Sequence, residues 1–313
     1  MTDLTAALPD FAPYARSATL LRPTAGTPGV RESSIGGPLL WPVEEAWPVC
    51  REPRLVEVRE ALTDEERELW AGIDRRRRER RRRRVSVVGA EDSELMDRIM
   101  DGGSLDLASW ERVRCEPAGV GDGVPMVPVV QVFARDVPGW EWPGGADVVQ
   151  VLWCPQDHAE PAGRRFYWGP TVTVRFRSSS DVGAVAEAPR SAGAQGIYVA
   201  RPCVLDPAEV VDLPAGDEIP EELFERGEAW ARARGTEYHR TLACRPGWKV
   251  GGWPSWHLTN RMRVDCGVCG AGMRLFLTVD SGGDPGLTVG RFGELRVFVC
   301  PADGAHPVGL NIQ

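Results

Sequence analysis

The sequence predicts an α+β fold with mainly antiparallel sheets, peripheral helices and two candidate half-domains related by duplication. Three observations carry this reading. Runs of strand length are alternating or continuously apolar, few long helical patterns separate them, and two glycine-rich segments echo each other far apart in the chain.

Near the start, Leu8-Pro-Asp-Phe-Ala-Pro-Tyr14 reads as one helical turn. Ser33 to Pro42 and Trp47-Pro-Val-Cys50 mix glycine and proline with large apolar groups, the pattern of an ordered, closely packed loop. A helix is expected from Thr63, which can cap it while Glu66 reciprocates, with Leu69, Trp70 and Ile73 on its apolar face. Short helices are expected at 91–100 and 106–113. Strands are expected at 126–134, 147–153, 171–176 and 197–200. A helix follows near 219–234, then strands at 273–279 and 294–299. The expected organisation is a single globular unit with lobes of about 1–180 and 181–313.

At 313 residues and 42% hydrophobic residues, the chain can bury a substantial core. It contains no apolar run long enough to span a bilayer, and its opening residues lack a secretory pattern, so a cytoplasmic location is expected. Eight cysteines are too sparse for a disulfide scaffold. The formal charge of -8 is uneven. Arg75, Arg76, Arg77, Arg78, Arg80, Arg81, Arg82, Arg83 and Arg84, interrupted by Glu79, form a cationic patch in an acidic chain, read as an Arg-rich insertion or loop, or a solvated extension of the preceding helix. Without interleaved aromatics to stack bases, specific nucleic-acid binding is not expected; a solvated linker or a docking strip for an acidic protein is.

The internal echo joins Ser34-Ile-Gly-Gly-Pro-Leu-Leu-Trp-Pro42 to Lys249-Val-Gly-Gly-Trp-Pro-Ser-Trp256. With Pro128-Val-Val-Gln-Val-Phe-Ala134 and Val289-Gly-Arg-Phe-Gly-Glu-Leu-Arg-Val-Phe-Val299, these segments resemble the YwqG-like family (DUF1963) of uncharacterised bacterial proteins over about residues 30 to 300. The chain departs from the family pattern at Arg291, where an aspartate is usual, and in its arginine block. The resemblance implies an α+β fold, plausibly duplicated, and no established activity or catalytic residue.

The strongest chemical signal lies in 264–306, read as a zinc-ribbon-like hairpin. Cys266-Gly-Val-Cys269 places two thiolates on one tight turn, and Cys300 ends an apolar strand. His306 is the fourth ligand of choice and Asp303 the alternative, giving a structural Zn2+ site. A catalytic zinc would need an open position with His257 or Asp265 nearby. Cys154-Pro-Gln-Asp-His158 offers a thiol beside an imidazole or two metal ligands, while Cys50, Cys115, Cys203 and Cys244 read as buried small hydrophobes. Gly36, Gly37, Gly251 and Gly252, with Lys249 as counter-charge, form a candidate anion cradle. With Trp41, Trp248, Trp253 and His257 they outline a candidate cleft for a small molecule or protein. The functional expectation is a ligand- or protein-binding module stabilised by zinc. The alternative is an enzyme, such as a hydrolase, using that cleft or an open zinc.

Overall fold

The computed structural model describes residues 4–83, 89–119, 123–160, 167–191 and 193–313. The chain divides into two compact units: Met1–Glu52 with Val120–Gln313, and Pro53–Gly119. In chain order the strands are β1 (Arg16–Leu20), β2 (Pro23–Ala25), β3 (Ser34–Ile35), β4 (Val49–Cys50), β5 (Arg54–Ala61), β6 (Ser104–Asp106), β7 (Glu111–Ala118), β8 (Val124–Pro125), β9 (Val127–Phe133) and β10 (Val148–Trp153). They continue as β11 (His158–Ala159), β12 (Trp168–Gly169), β13 (Val172–Arg177), β14 (Cys203–Leu205), β15 (Ala208–Asp212), β16 (Lys249–Gly251), β17 (Arg274–Asp280), β18 (Glu294–Val299) and β19 (Gly309–Ile312). The helices are α1 (Leu4–Ala7), α2 (Asp64–Arg82), α3 (Ala90–Met100), α4 (Glu221–Arg232) and α5 (Tyr238–Thr241).

Two six-stranded antiparallel sheets build the larger unit, in the orders β2-β14-β3-β9-β10-β13 and β15-β1-β16-β17-β18-β19. The same succession recurs in both. The strand leading into a glycine pair, β3 or β16, stands third, and a meander of three strands follows it. Even the irregularity repeats: the ladder skips Val129 in β9 and Phe276 in β17, each the third residue of its strand. Each half of the chain also lends its first strand, β1 or β14, to the sheet of the other half. Strands from both sides of residue 180 therefore share both sheets, and the compact units do not divide there.

Strands β9, β10 and β18 are buried nearly throughout, which is why they read as continuous apolar runs rather than alternating ones. Val130, Val151 and Trp153 from one sheet share a single core with Phe276, Leu277 and Val297 from the other. Each such side chain contributes about 1.5–3 kcal/mol by leaving water. The strand expected at 197–200 is instead a 3-10 turn at Gly196–Tyr198. Tyr198 is drawn into the core, and its carbonyl accepts the Trp153 indole N–H at 2.7 Å, so the backbone serves the core rather than a ladder.

In the smaller unit, α2 begins at the expected Thr63 capping box, and Ile73 packs with Leu62 and Ile99. Residues 106–113 form no helix. They turn through Trp110, at φ 57°, between the antiparallel β6 and β7, where the cross-strand ladder outweighs local helical preference. The arginine run through residue 82 continues α2, Arg83 caps it, and Arg84 lies outside the described residues. Two of these arginines have internal work. Asp92, fully buried on α3, accepts from Arg76 Nε at 2.7 Å and from Arg80. Arg75, Arg78, Arg81, Arg82 and Arg83 are the exposed remainder, with Arg78 paired to Asp74 along the helix.

Burial pushes the Asp92 carboxyl up, but its bonds to Arg76 and Arg80 outweigh this and hold it below its ordinary 3.8. Asp74, paired with Arg78, and Asp106, accepting from the Ala108 N–H, are likewise lowered. A carboxyl lowered by folding stabilises the fold above its unfolded value and loses that contribution as pH falls through it. The unit is therefore expected to melt at progressively lower temperature below about pH 4. Circular dichroism melts across that range test this, and Asp92→Asn should both lower the melting temperature near neutrality and flatten the acid branch. A melting temperature independent of pH in that window would contradict the assignment.

Candidate metal centre

Cys266, Cys269, Cys300 and His306 converge, each offering one ligand atom within 4.8 Å of all the others. The turn that carries the first two is shaped by backbone bonds. Cys266 N–H donates to Ala271 O and Gly270 N–H returns to Cys266 O, both at 2.8 Å, with Gly270 at φ 72°. Cys300 arrives at the end of β18, whose pairing with β17 sets it beside the turn: Val299 lies opposite Arg274. The Cys269 and Cys300 sulfurs are 3.5 Å apart, and Cys266 Sγ is 3.4 Å from His306 Nδ1.

Electrostatics favour thiolate at two of the three cysteines; at Cys269 the Ala271 N–H lowers the thiol, but Cys300, burial and Cys266 outweigh it and raise it. Backbone N–H groups of Cys269 and Val268 lower the Cys266 thiol. Burial pushes Cys300 up, but His306 and the N–H groups of Asp303 and Ala302 outweigh it and hold the thiol at about 6. The bond to Cys300 in turn raises His306. Asp303, the alternative ligand, is exposed and outside the cluster. Its carboxylate instead lies 3.8 Å from His306 Nε2, on the side of the ring away from the sulfur-facing Nδ1, and accepts the Ala305 N–H at 2.8 Å. Four soft ligands at this spacing can hold a tetrahedral metal ion.

A second cluster joins Cys50, Cys154 and His158, again with ligand atoms within 4.8 Å and all three buried. Cys50 Sγ lies 3.7 Å from His158 Nε2 and 3.2 Å from Thr171 Oγ1. The pairing of Cys154 with His158 was legible as a motif. Cys50 was not, because β4 reaches the site only by pairing with β8 across the whole smaller unit. The available signal was the common ending of two apolar strands, Trp153-Cys154-Pro155 and Val299-Cys300-Pro301. Of the other cysteines, Cys203 is buried and Cys244 half-buried, as small hydrophobes, while Cys115 is exposed on β7.

The candidate glycine and tryptophan cleft separates into different places. Trp41 is fully buried in a cluster that also takes in Trp47, and Trp248 belongs to the main core. Gly36, at φ 62°, turns hard against its own fold, since a Cβ there would lie 2.6 Å from Ala200 O. Of the second glycine pair, Gly252 does close on an anion, but it is the protein's own Asp212, while Gly251 lies against the Ser17 carbonyl. A Cβ on Gly252 would lie 2.2 Å from Asp212 Oδ2, which accepts from Trp253 N–H at 2.7 Å and Lys249 Nζ at 2.8 Å. Lys249 is buried and spent on this pair and on Trp253 O. Asp265 is paired with Arg263 at 2.7 Å.

Gly251, Gly252 and Trp253 nonetheless border an open cavity of about 880 Å³, with Arg16, Arg261, Arg263 and Arg274 around it; the last three also pair with Glu218, Asp265 and Glu141. The Arg16 guanidinium sits 3.4 Å over the Trp253 ring and Arg274 sits 5.0 Å over Trp140. Burial, with Arg261 nearby, lowers the Arg16 pKa. His257 lies at a different cavity, of about 960 Å³, beside Ser255 and Trp256.

The fold and sites define an α+β protein with two Cys/His clusters able to coordinate metal. No family model matches the chain, and no curated protein matches it. Among the described residues no helix is long and apolar enough to cross a membrane.

Proposed function

We propose that this chain is a binding protein of the YwqG-like kind, clamped at its C-terminal hairpin by a structural zinc ion, with a ligand site in the arginine- and tryptophan-lined cavity. The observation that carries the ligand reading is the set of four arginines, three of them over tryptophan faces, around one cavity. Guanidinium groups suit carboxylate or phosphate and the indoles a flat apolar body, so the ligand is an organic anion. Zinc is favoured by three thiolates with one imidazole, a closed donor set of the structural type. No disulfide occurs among the eight cysteines, which suits reduced thiolate ligands and a cytoplasmic setting.

The hydrolase alternative finds a serine, a histidine and a carboxylate at the second cavity, but in the wrong order. Ser255 Oγ donates to Glu294, and His257 Nε2 lies 3.7 Å from that same carboxylate, so the acid stands between hydroxyl and imidazole. A triad needs the imidazole in the middle to take the hydroxyl proton.

Inorganic phosphate, citrate and a nucleoside monophosphate serve as probes in thermal-shift and calorimetric titrations. At least one is expected to bind, and Arg261→Ala to weaken it roughly 10-fold or more, the worth of one charge-assisted hydrogen bond. Arg261 is mostly exposed but pairs with the buried Glu218 side chain at 3.2 Å, so the variant's melting temperature is measured alongside and binding is compared where both proteins are folded. Binding of none of the three, or equal binding by the variant, would count against the anion site.

A further inference from the structure

We infer that Cys50, Cys154 and His158 are the first-half counterpart of the C-terminal centre and hold a second thiophilic cation, zinc(II) or copper(I). The two halves keep one register through the ligand-bearing segments. Val49 pairs with Pro125 as Asp265 bridges Gly272. Met126 N–H donates to Pro48 O at 2.9 Å, and Met273 N–H to Val264 O at 2.8 Å. Cys50 thereby takes the place of Cys266.

Downstream the match continues. Trp153 lies opposite Val127 and Val299 opposite Arg274, so β10 and β18 end alike, each delivering a cysteine followed by proline. Cys154 stands for Cys300 and Asp157 for Asp303. The histidine follows at once in the first half, as His158, and after two further residues in the second, as His306. Three of the four ligands thus recur with the same chemistry at the same place in a repeated topology. The fourth does not. Cys269 follows Cys266 by three positions, and three positions after Cys50 stands Pro53, where the smaller unit begins. Residues 267–270, the turn that supplies Cys269, are what that unit replaces.

The remaining three ligands are held for the task. Cys154 N–H donates to Thr171 O at 2.9 Å, and Gln195 N–H to Pro155 O at 2.9 Å. Gln156 donates to Gly193 O, and Tyr198 donates to Asp157 at 2.5 Å. The Thr171 hydroxyl lies at hydrogen-bonding distance from the Cys50 sulfur, as metal-bound thiolates commonly require. Two thiolates beside Leu39, Trp41 and Leu152 would be costly without a cation, and thiolate with imidazole selects soft, filled-shell ions over magnesium or calcium. With the fourth thiolate missing, zinc would complete its tetrahedron with a small ligand, whereas copper(I) accepts three.

The test uses the full chain, purified under reducing conditions from metal-replete cells. Elemental analysis for zinc and copper with native mass spectrometry should read two ions per wild-type molecule. Cys266→Ser combined with Cys269→Ser should keep the ion at Cys50, Cys154 and His158, and Cys154→Ala should keep the one at the C-terminal centre. The two sites therefore fail or survive separately. If Cys154→Ala does not fold, the wild type and the double variant decide. One ion per wild-type chain with none in the double variant overturns the inference. So does a wild-type mass short of two hydrogens that maps to a Cys50–Cys154 disulfide.

Discussion

Cys269→Ser combined with Cys266→Ser, which leaves one thiolate and one imidazole, is expected to release the C-terminal ion and lower the melting temperature of the larger unit by roughly 8–16 °C. A metal that binds only the folded state, with free zinc a thousandfold above its dissociation constant, adds about 4 kcal/mol. In a domain of this size each kcal/mol moves the midpoint by about 2–4 °C. Serine is nearly isosteric with cysteine but supplies no thiolate, so the change removes coordination and little packing. Cys269 is itself exposed, which makes a cavity effect there small. A control follows directly: wild type stripped by a strong chelator should melt where the variant melts, and the variant should not respond to chelator. Identical melting of wild type and variant, with equal zinc content, would remove the proposed clamp.

Lys249→Met is expected to cost about 3–5 kcal/mol, because it strands a buried carboxylate without its counter-ion. Asp212 is fully buried, and its Oδ2 and Oδ1 accept the Trp253 and Arg245 N–H groups, both at 2.7 Å. Those two bonds remain in the variant, but the charge is left uncompensated. The Gly252 turn closes directly on that oxygen. Denaturant titration should therefore show a lower midpoint with an unchanged slope. Asp212→Asn added to Lys249→Met should recover only part of the loss, because one amide oxygen cannot replace two carboxylate oxygens facing two N–H donors. If Lys249→Met kept its stability and lost anion binding instead, the lysine would belong to the ligand site.

Much of the site was legible because its signals are local. Cys266-x-x-Cys269 is one turn, and the Thr63–Glu66 box is one helix end. The apolar runs that became β9, β10, β17 and β18 announced themselves by burial on both faces. The short strands β1, β2, β14 and β15 did not, since each is stabilised by neighbours distant in sequence rather than by its own pattern. Cys50 looked like any small buried hydrophobe until β4 met β8.

From the sequence alone followed the α+β class, the strands β9, β10, β13, β17 and β18, the helix start at Thr63 and the C-terminal Cys/His cluster, for these rest on nearby residues and on periodicity. Only the tertiary structure decided what the glycine pairs surround, where the arginines point and which cysteines meet. Those outcomes depend on which distant partner neutralises a charge or completes a ladder. Asp212 turned an apparent ligand cradle into an internal ion pair, Asp92 recruited two arginines, and the strand exchange between halves brought both sheets around one core. A chain pattern specifies a need to be paired, and the fold selects the partner.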